Sequence, residues 1–390
     1  MKYIFLFLNI LFFSKKNFKK PVRRKIAIFD GDLSYLLLKY LKKNNVNIIH
    51  HRFTQRICRD CEINIFILLK NILLLRFSGK DYIETYIKFT QPKILITLND
   101  NNLFFYKIKN QNMTKIAIQI SYRSTQKDIF YNSKQLMSGG YNCDYFLVYN
   151  NHIGKIYKKY FKGEPIQIGS FRSNYNTKKK TKKKIDILYI SSFKQETDDD
   201  FFIEEEKIKY GDYRKKEYEL IENIKRYLLN NKSRKFTVLG CKAKTMSLEK
   251  TKWDKIMGSV PYRFIPQKMN RKTYSIVDSA KLIISLDSSL GYEALARKNV
   301  VCFFSMRPNN FPTNSSNFGW PEKKITSKGP FWTNSASYTE VERLLNNAQK
   351  INPSIFFNKP KIKKFIKGQI IYDNNNKIFS TFINNILNKK

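Results

Sequence analysis

The chain has 390 residues, 42% apolar and 15% aromatic, which is enough for about two to three domains and too apolar for a disordered tail. Lys and Arg number 73 against 31 Asp and Glu, a formal charge of +42, which excludes an acidic solvating protein and favours anionic partners. A mean hydropathy of −0.48 excludes a polytopic membrane protein. Lys, Asn, Ile, Tyr and Phe are abundant everywhere, so the charge has two readings, a compositional background or a functional demand. Outside two runs the basic residues are spread along the chain, unlike those of a nucleic-acid reader, and no nucleic-acid partner is expected.

In chain order, residues 3–13 (YIFLFLNILFF) are apolar but too short to span a bilayer, which takes about 20 residues. Seven basic residues follow between Lys15 and Lys25. An apolar run beside a cationic cluster is what an in-plane membrane anchor needs, so residues 1–24 are expected to associate with an anionic inner-membrane surface. The competing reading is a helix packed on the protein's own core.

From residue 25 the chain alternates strands and helices. KIAIF (25–29), VNIIHH (46–51), KILITL (93–98), KIAIQI (115–120), YFLVYN (145–150) and PIQIG (165–169) read as strands. Residues 33–45, 63–76, 80–91 and 152–161 read as helices between them. The lysine-rich stretch 172–184 reads as a solvated linker. The alternation then restarts with strands at 185–192, 235–240, 262–266, 281–287 and 299–304, and helices at 213–231, 271–280 and 289–298. This pattern predicts an α/β protein with two Rossmann-like domains facing a central cleft. The expected division is a first α/β domain at 25–171, a linker at 172–184, and a second α/β domain at 185–350. Residues 351–390 form a tail whose last helix, with an apolar stripe at Ile378, Phe379, Phe382, Ile383 and Ile386, packs back on the first domain.

Five cysteines, at 58, 61, 143, 241 and 302, make no disulfide framework and suit a reducing cytoplasm. Cys58-x-x-Cys61 has no second pair, and His50, His51 and His152 complete no metal set. Asp30-Gly31-Asp32 follows the first strand directly and reads as a turn or a carboxylate in the cleft, not as a metal site. No nucleophile elbow, dinucleotide fingerprint or P-loop is present.

Ligands of such sheets bind beyond the carboxyl ends of the strands. The most informative string there is Asp287-Ser288-Ser289-Leu290-Gly291-Tyr292-Glu293-Ala294-Leu295-Ala296-Arg297. Two hydroxyls at a helix N-terminus make a phosphate cradle, Gly291 allows close approach, and Glu293, one turn on, can share the face of Ser289. A plain capped helix explains the same residues.

DSSLGYEALARK, together with IGSF (168–171) and Gly329-Pro330-Phe331-Trp332, resembles bacterial surface-carbohydrate (lipopolysaccharide-type) biosynthesis proteins of the GT-B glycosyltransferase kind. The resemblance covers roughly residues 24–335. It implies a glycosyltransferase in which Ser288, Ser289, Gly291 and Glu293 bind a nucleotide-sugar donor, with Ser192 and Lys194 on its phosphates. It also implies a glycan or lipid-linked glycan acceptor and a peripheral cytoplasmic location. The retaining-type E-x7-E signature is absent, which leans towards inversion; no metal and no cofactor are expected. Asp32 and Asp100, both after strands of the first half, are the candidates for the base. A polyol-phosphate transferase, or a non-enzymatic basic binding protein, are the alternatives.

Overall fold

The computed structural model describes residues 14–389 apart from 32, 42–44, 51–61, 110–111, 124–129, 131–135, 137–138, 179–181, 194–200, 204–205, 209, 242–245, 268–271, 287 and 306–327. The apolar run 3–13, Asp32 and Lys194 therefore lie outside the described residues.

Two six-stranded sheets, each wholly parallel, absorb the short β-branched runs. The first contains β1 (Ile26–Phe29), β2 (Val46–Ile49), β3 (Ile94–Thr97), β4 (Thr114–Ile118), β5 (Asn142–Val148) and β6 (Lys162–Gln167) in the order β2-β1-β3-β4-β5-β6. The second contains β7 (Ile185–Ile190), β8 (Phe236–Leu239), β9 (Tyr262–Ile265), β10 (Ala280–Ser285), β11 (Val301–Phe304) and β12 (Trp332–Thr333) in the order β9-β8-β7-β10-β11-β12. That second order is 3-2-1-4-5-6 counted from its own first strand, the doubly wound arrangement of nucleotide-binding sheets. β1, β3 and β11 are buried along their whole length, as parallel strands covered on both faces must be.

The helices of the first half are α1 (Ser34–Leu38), α2 (Ile65–Leu73), α3 (Gly79–Thr90), α4 (Leu103–Lys107), α5 (Asn151–Tyr160) and α6 (Phe171–Tyr175). Those that follow are α7 (Tyr210–Asn230), α8 (Met246–Met257), α9 (Lys272–Asp278), α10 (Ser289–Ala296), α11 (Tyr338–Gln349), α12 (Pro353–Phe356), α13 (Pro360–Gln369) and α14 (Lys377–Lys389). Local chemistry sets their starts. Ser78 and Asp81 form a reciprocal capping box on α3, and Asn64 and Asn150 cap α2 and α5.

Apolar side chains cover both faces of each sheet. On the first, Phe105, Tyr106, Phe146 and Tyr157 fill one face, and Ile28, Ile96, Ile118 and Phe171 the other. Phe379, Ile383 and Ile386 of α14 belong to that second cluster, although α13 before it packs on the other half, with Phe365 stacked on Trp332. Ile378, at the start of the same stripe, stays exposed.

The stretch 172–184 is solvated at its lysines 182–184 but begins in packed structure. Residues 171–175 form α6, with Ser173, Asn174 and Tyr175 buried, and Lys183 donates to the carbonyls of Asp278 and Ala280 at 2.9 and 2.8 Å. The reason is local: the charged run supplies donors for carbonyls that the ends of α9 and β10 leave unmet. Among the described residues, no helix is long and apolar enough to cross a membrane.

Candidate active site between two sheet edges

The loops after β1, β2, β3 and β4 gather at one edge of the first sheet. Asp30, directly after β1, has φ +69° and is 4% exposed. Its backbone N–H is tied to the Ile49 carbonyl at 2.9 Å, and its carboxylate accepts from Asn99 Nδ2 at 2.8 Å. The next residue must be small. A Cβ on Gly31 would stand 2.2 Å from His50 Cε1, so the glycine lets the imidazole after β2 lie against this turn. Burial pushes the His50 pKa down, and the negative charges of Glu62 and Asp30 push it back only in part. His50 is therefore neutral at neutral pH, with a basic nitrogen at the carboxyl edge.

A cavity of about 720 Å³ opens at the same edge, lined among others by Leu33, Asn99, Asn102, Ser121, Arg123 and Arg172. Asp100, expected as a base, does not serve this cavity as one. It is 1% exposed and takes a bidentate pair from Arg123, with Nε at 2.8 Å and Nη2 at 2.6 Å. It also accepts from the Tyr157 hydroxyl and from Ile120 N–H at 3.2 Å. A carboxylate so committed fixes the Arg123 guanidinium at the cavity wall and has no position for a substrate proton.

In the second half, α10 begins where the sequence places it. Ser288 is its N-cap and accepts from Leu290 N–H at 3.3 Å. Gly291 serves helix–sheet packing: an added Cβ would meet Ser285 Oγ at 2.3 Å and Cβ at 2.6 Å. Gly291→Ala should cost about 1–3 kcal/mol in denaturant melts, because neither the strand nor the helix can retreat cheaply.

Ser289 and Glu293 do share a face, as their spacing of four requires. That face is turned to the first half. Ser289 Oγ accepts from Tyr122 N–H at 2.9 Å, and the Tyr122 ring stacks on Tyr292 with centroids 4.0 Å apart and planes 7° apart. Glu293 is 4% exposed and accepts from Ser170 at 2.5 Å, Tyr274 at 2.9 Å and Tyr149 at 3.4 Å. Burial raises its pKa, opposed by the charge of Arg172 and by those three hydroxyls. In this conformation the Glu293 carboxylate bonds hydroxyls of both halves, in place of the ribose contact expected of it.

Ser192, after β7, donates to Glu217 at 2.7 Å and accepts from Arg214 at 3.1 Å. Among the described residues there is no group of three or more His, Cys, Asp or Glu that could hold a metal ion. Sequence reasoning missed the approach of His50 to the Asp30–Gly31 turn, because the histidine lay inside a predicted strand, and Arg172, which lies just past Ser170.

Residues after β4, β5 and β6 thus touch residues after β10: two Rossmann-type sheets meet at their carboxyl edges, the GT-B-type architecture. The fold is similar to that of the wall teichoic acid polymerase TagF, at 13% identity over 100% of this chain and 93% of that one with a TM-score of 0.54. It is also similar to UDP-GlcNAc 2-epimerase from Neisseria meningitidis bound to UDP-GlcNAc (10% identity, 94% and 99% covered, TM-score 0.50). A third likeness is to S. aureus MnaA with UDP (10%, 94% and 97%, TM-score 0.50). No curated protein sequence matches significantly. Residues 116–387 match the model of a family described as "putative O-antigen biosynthesis protein", and the chain belongs to that family.

Proposed function

We propose that the protein is a glycosyltransferase of surface-polysaccharide synthesis that moves a sugar from a nucleotide-activated donor to a glycan or lipid-linked glycan acceptor. The observation that carries this reading is the meeting of the two carboxyl edges, with the cavity of the first sheet beside the start of α10. The donor belongs to the second half. There the halves part to admit it, and Ser288, Ser289 and Glu293 exchange their present partners for its phosphates and ribose. Gly291 keeps α10 close on its sheet, while Ser192 stands at the neighbouring strand end, and Lys194, two residues on in the sequence, is assigned to the same phosphates. The acceptor takes the cavity, where the asparagines offer amide donors and acceptors to hydroxyls. His50, at the same carboxyl edge although not among the residues lining the cavity, accepts the acceptor proton, and Arg123 and Arg172 meet negative charge developing on the leaving diphosphate. In this reading the transfer is inverting and draws its positive charge from arginine, not from a metal. The two arginines also favour a second reading, a polyol-phosphate transferase, since planar guanidinium groups suit phosphate. The basic segment 15–25 holds the protein at the cytoplasmic face of an anionic membrane.

Titration calorimetry with UDP, CDP and CMP tests the donor site. Glu293→Gln should weaken the nucleotide that binds by about ten- to a hundred-fold, the loss of a hydrogen bond to a charged group. Equal affinity of wild type and variant for every nucleotide would remove Glu293 from the site.

A further inference from the structure

Among the described residues of the first half, the exposed large apolar side chains other than Phe18, Val22 and Tyr35 are concentrated at one place. Leu69 and Leu73 of α2, and Leu74, Leu75 and Phe77 of the turn after it, all face solvent, Leu73 at 84% and Leu75 at 80% exposure. Leu69 and Leu73 are one helical turn apart, opposite the buried Ile67, Leu68 and Asn71. Scattered surface leucines need no explanation, but a contiguous group marks an interaction site. The turn is also formed against local preference. Leu75 holds φ +54°, a conformation in which glycine is the ordinary residue at a helix end. Its N–H closes on the Ile72 carbonyl, and that of Arg76 on Asn71. A requirement for the turn alone is met better by glycine; leucine adds apolar surface to water.

The charge around this tip has one sign. Residues 14–25 and 62–80 together contain ten Lys and Arg and a single acid, Glu62. The two segments form one surface: the Lys20 ammonium lies 5.7 Å from the ring centres of Phe66 and Phe89, and Lys70 lies 5.3 Å from that of Phe89. Asn64 Nδ2 donates to the Lys19 carbonyl at 2.8 Å. The nearest acids of α3 are engaged locally, Asp81 in the Ser78 cap and Glu84 with Lys80.

Its position follows from connectivity. Phe66 meets Phe89 at 5.2 Å, whereas Thr85 bonds Asn71 at 2.9 Å, so α2 and α3 are antiparallel. α3 leads into β3 and runs against the parallel strands, which puts Gly79, and the 73–77 turn before it, at the carboxyl-edge end of the sheet. That is the end on which the cavity opens.

We infer that the 69–77 tip is a membrane-contact surface. Its leucines and Phe77 enter the headgroup–acyl boundary of an anionic bilayer, and the surrounding lysines and arginines hold the headgroups. A protein partner fits less well, because protein interfaces are depleted of lysine, and seven of the ten basic residues in these two segments are lysines. The benefit to catalysis rests on the lipid-linked acceptor proposed above; the surface itself does not.

The test is co-sedimentation of the full chain with vesicles of phosphatidylcholine, alone or with phosphatidylglycerol. Wild type should bind the anionic vesicles far more strongly than the neutral ones, and less as salt rises. The variant Leu73→Ser/Leu74→Ser/Leu75→Gly/Phe77→Ser should partition about tenfold more weakly or worse, with no fall in melting temperature. Leu75→Gly alone should melt no lower than wild type and still bind less. Three outcomes overturn the inference: vesicle binding by the fourfold variant equal to wild type, loss of binding on deleting residues 2–13 but not in the tip variant, or a wild-type dimer that ignores vesicles and becomes a monomer in the variant. UDP, CDP and CMP titrations of the same variants separate this surface from the donor site, since nucleotide affinity should be unchanged whichever way the vesicle result falls.

Discussion

Arg297→Met should destabilise the protein by about 3–5 kcal/mol, read as a large fall in the denaturant midpoint. Arg297 is 1% exposed and forms a buried ion pair with Asp278, its Nε at 3.0 Å from Oδ1. Asn299 supports the same carboxylate at 3.0 Å. The other arm of the guanidinium, Nη1, donates to the carbonyls of Ser173 at 3.1 Å and Asn176 at 2.7 Å, in and just after α6. The rings of Tyr274 and Tyr372 lie over the cation at 5.2 and 4.8 Å. A methionine keeps the volume but leaves Asp278 charged and two carbonyls unmet in a site closed to water. Arg297→Lys should recover only part of the loss, because a point charge cannot serve a carboxylate and two carbonyls at once. Removing both charges, as Arg297→Met/Asp278→Asn, should cost less than Arg297→Met alone, which distinguishes a stranded charge from lost packing. A single variant melting within about 1 kcal/mol of wild type would show that water reaches Asp278. Hydrogen exchange in 171–176 should rise with the loss, since this arginine ties α6 to the second half.

The same residue shows where sequence reasoning ends. Its place in DSSLGYEALARK was legible, as were the strands, because β-branched runs closed by Asn, Asp, Gly or Pro carry a local signal. The two-residue β12 was too short for any such signal. So was the role of 172–184, where six lysines imply solvent but the turn of α6 is fixed by an arginine more than 120 positions away. Asp30 and Asp100 make the point within the site. Both follow strands of the first sheet, and nothing local tells them apart. Arg123 does, by closing on Asp100 from the loop after β4, while Asp30 is left beside a histidine. Glu293 was legible as a residue at the carboxyl edge, yet its partners Ser170 and Tyr149 come from the other half and have no counterpart in its own motif.

His50→Asn should lower turnover by about 10²–10⁴-fold, the usual contribution of a positioned general base, while leaving nucleotide affinity within about twofold. The argument starts from the turn after β1, where the absence of a Cβ on Gly31 admits the imidazole. Burial keeps the ring neutral and holds its pKa below the ordinary histidine value, so kcat/KM should fall on the acid side with a midpoint below about 6.5. Stability follows the same direction. A histidine whose folded pKa lies under its unfolded one binds fewer protons when folded, so its contribution is full above the unfolded value and is lost as pH falls from there through the folded one. Asp30→Asn separates electrostatics from geometry. Its negative charge raises the His50 pKa, so the variant should shift the acid limb of the profile to still lower pH and lower turnover less than His50→Asn does. Gly31→Ala should lower turnover in the same direction as His50→Asn and by less, because its methyl displaces the ring without removing it. If His50→Asn turns over as wild type, the base lies elsewhere on this edge, and Asp32→Asn becomes the decisive variant.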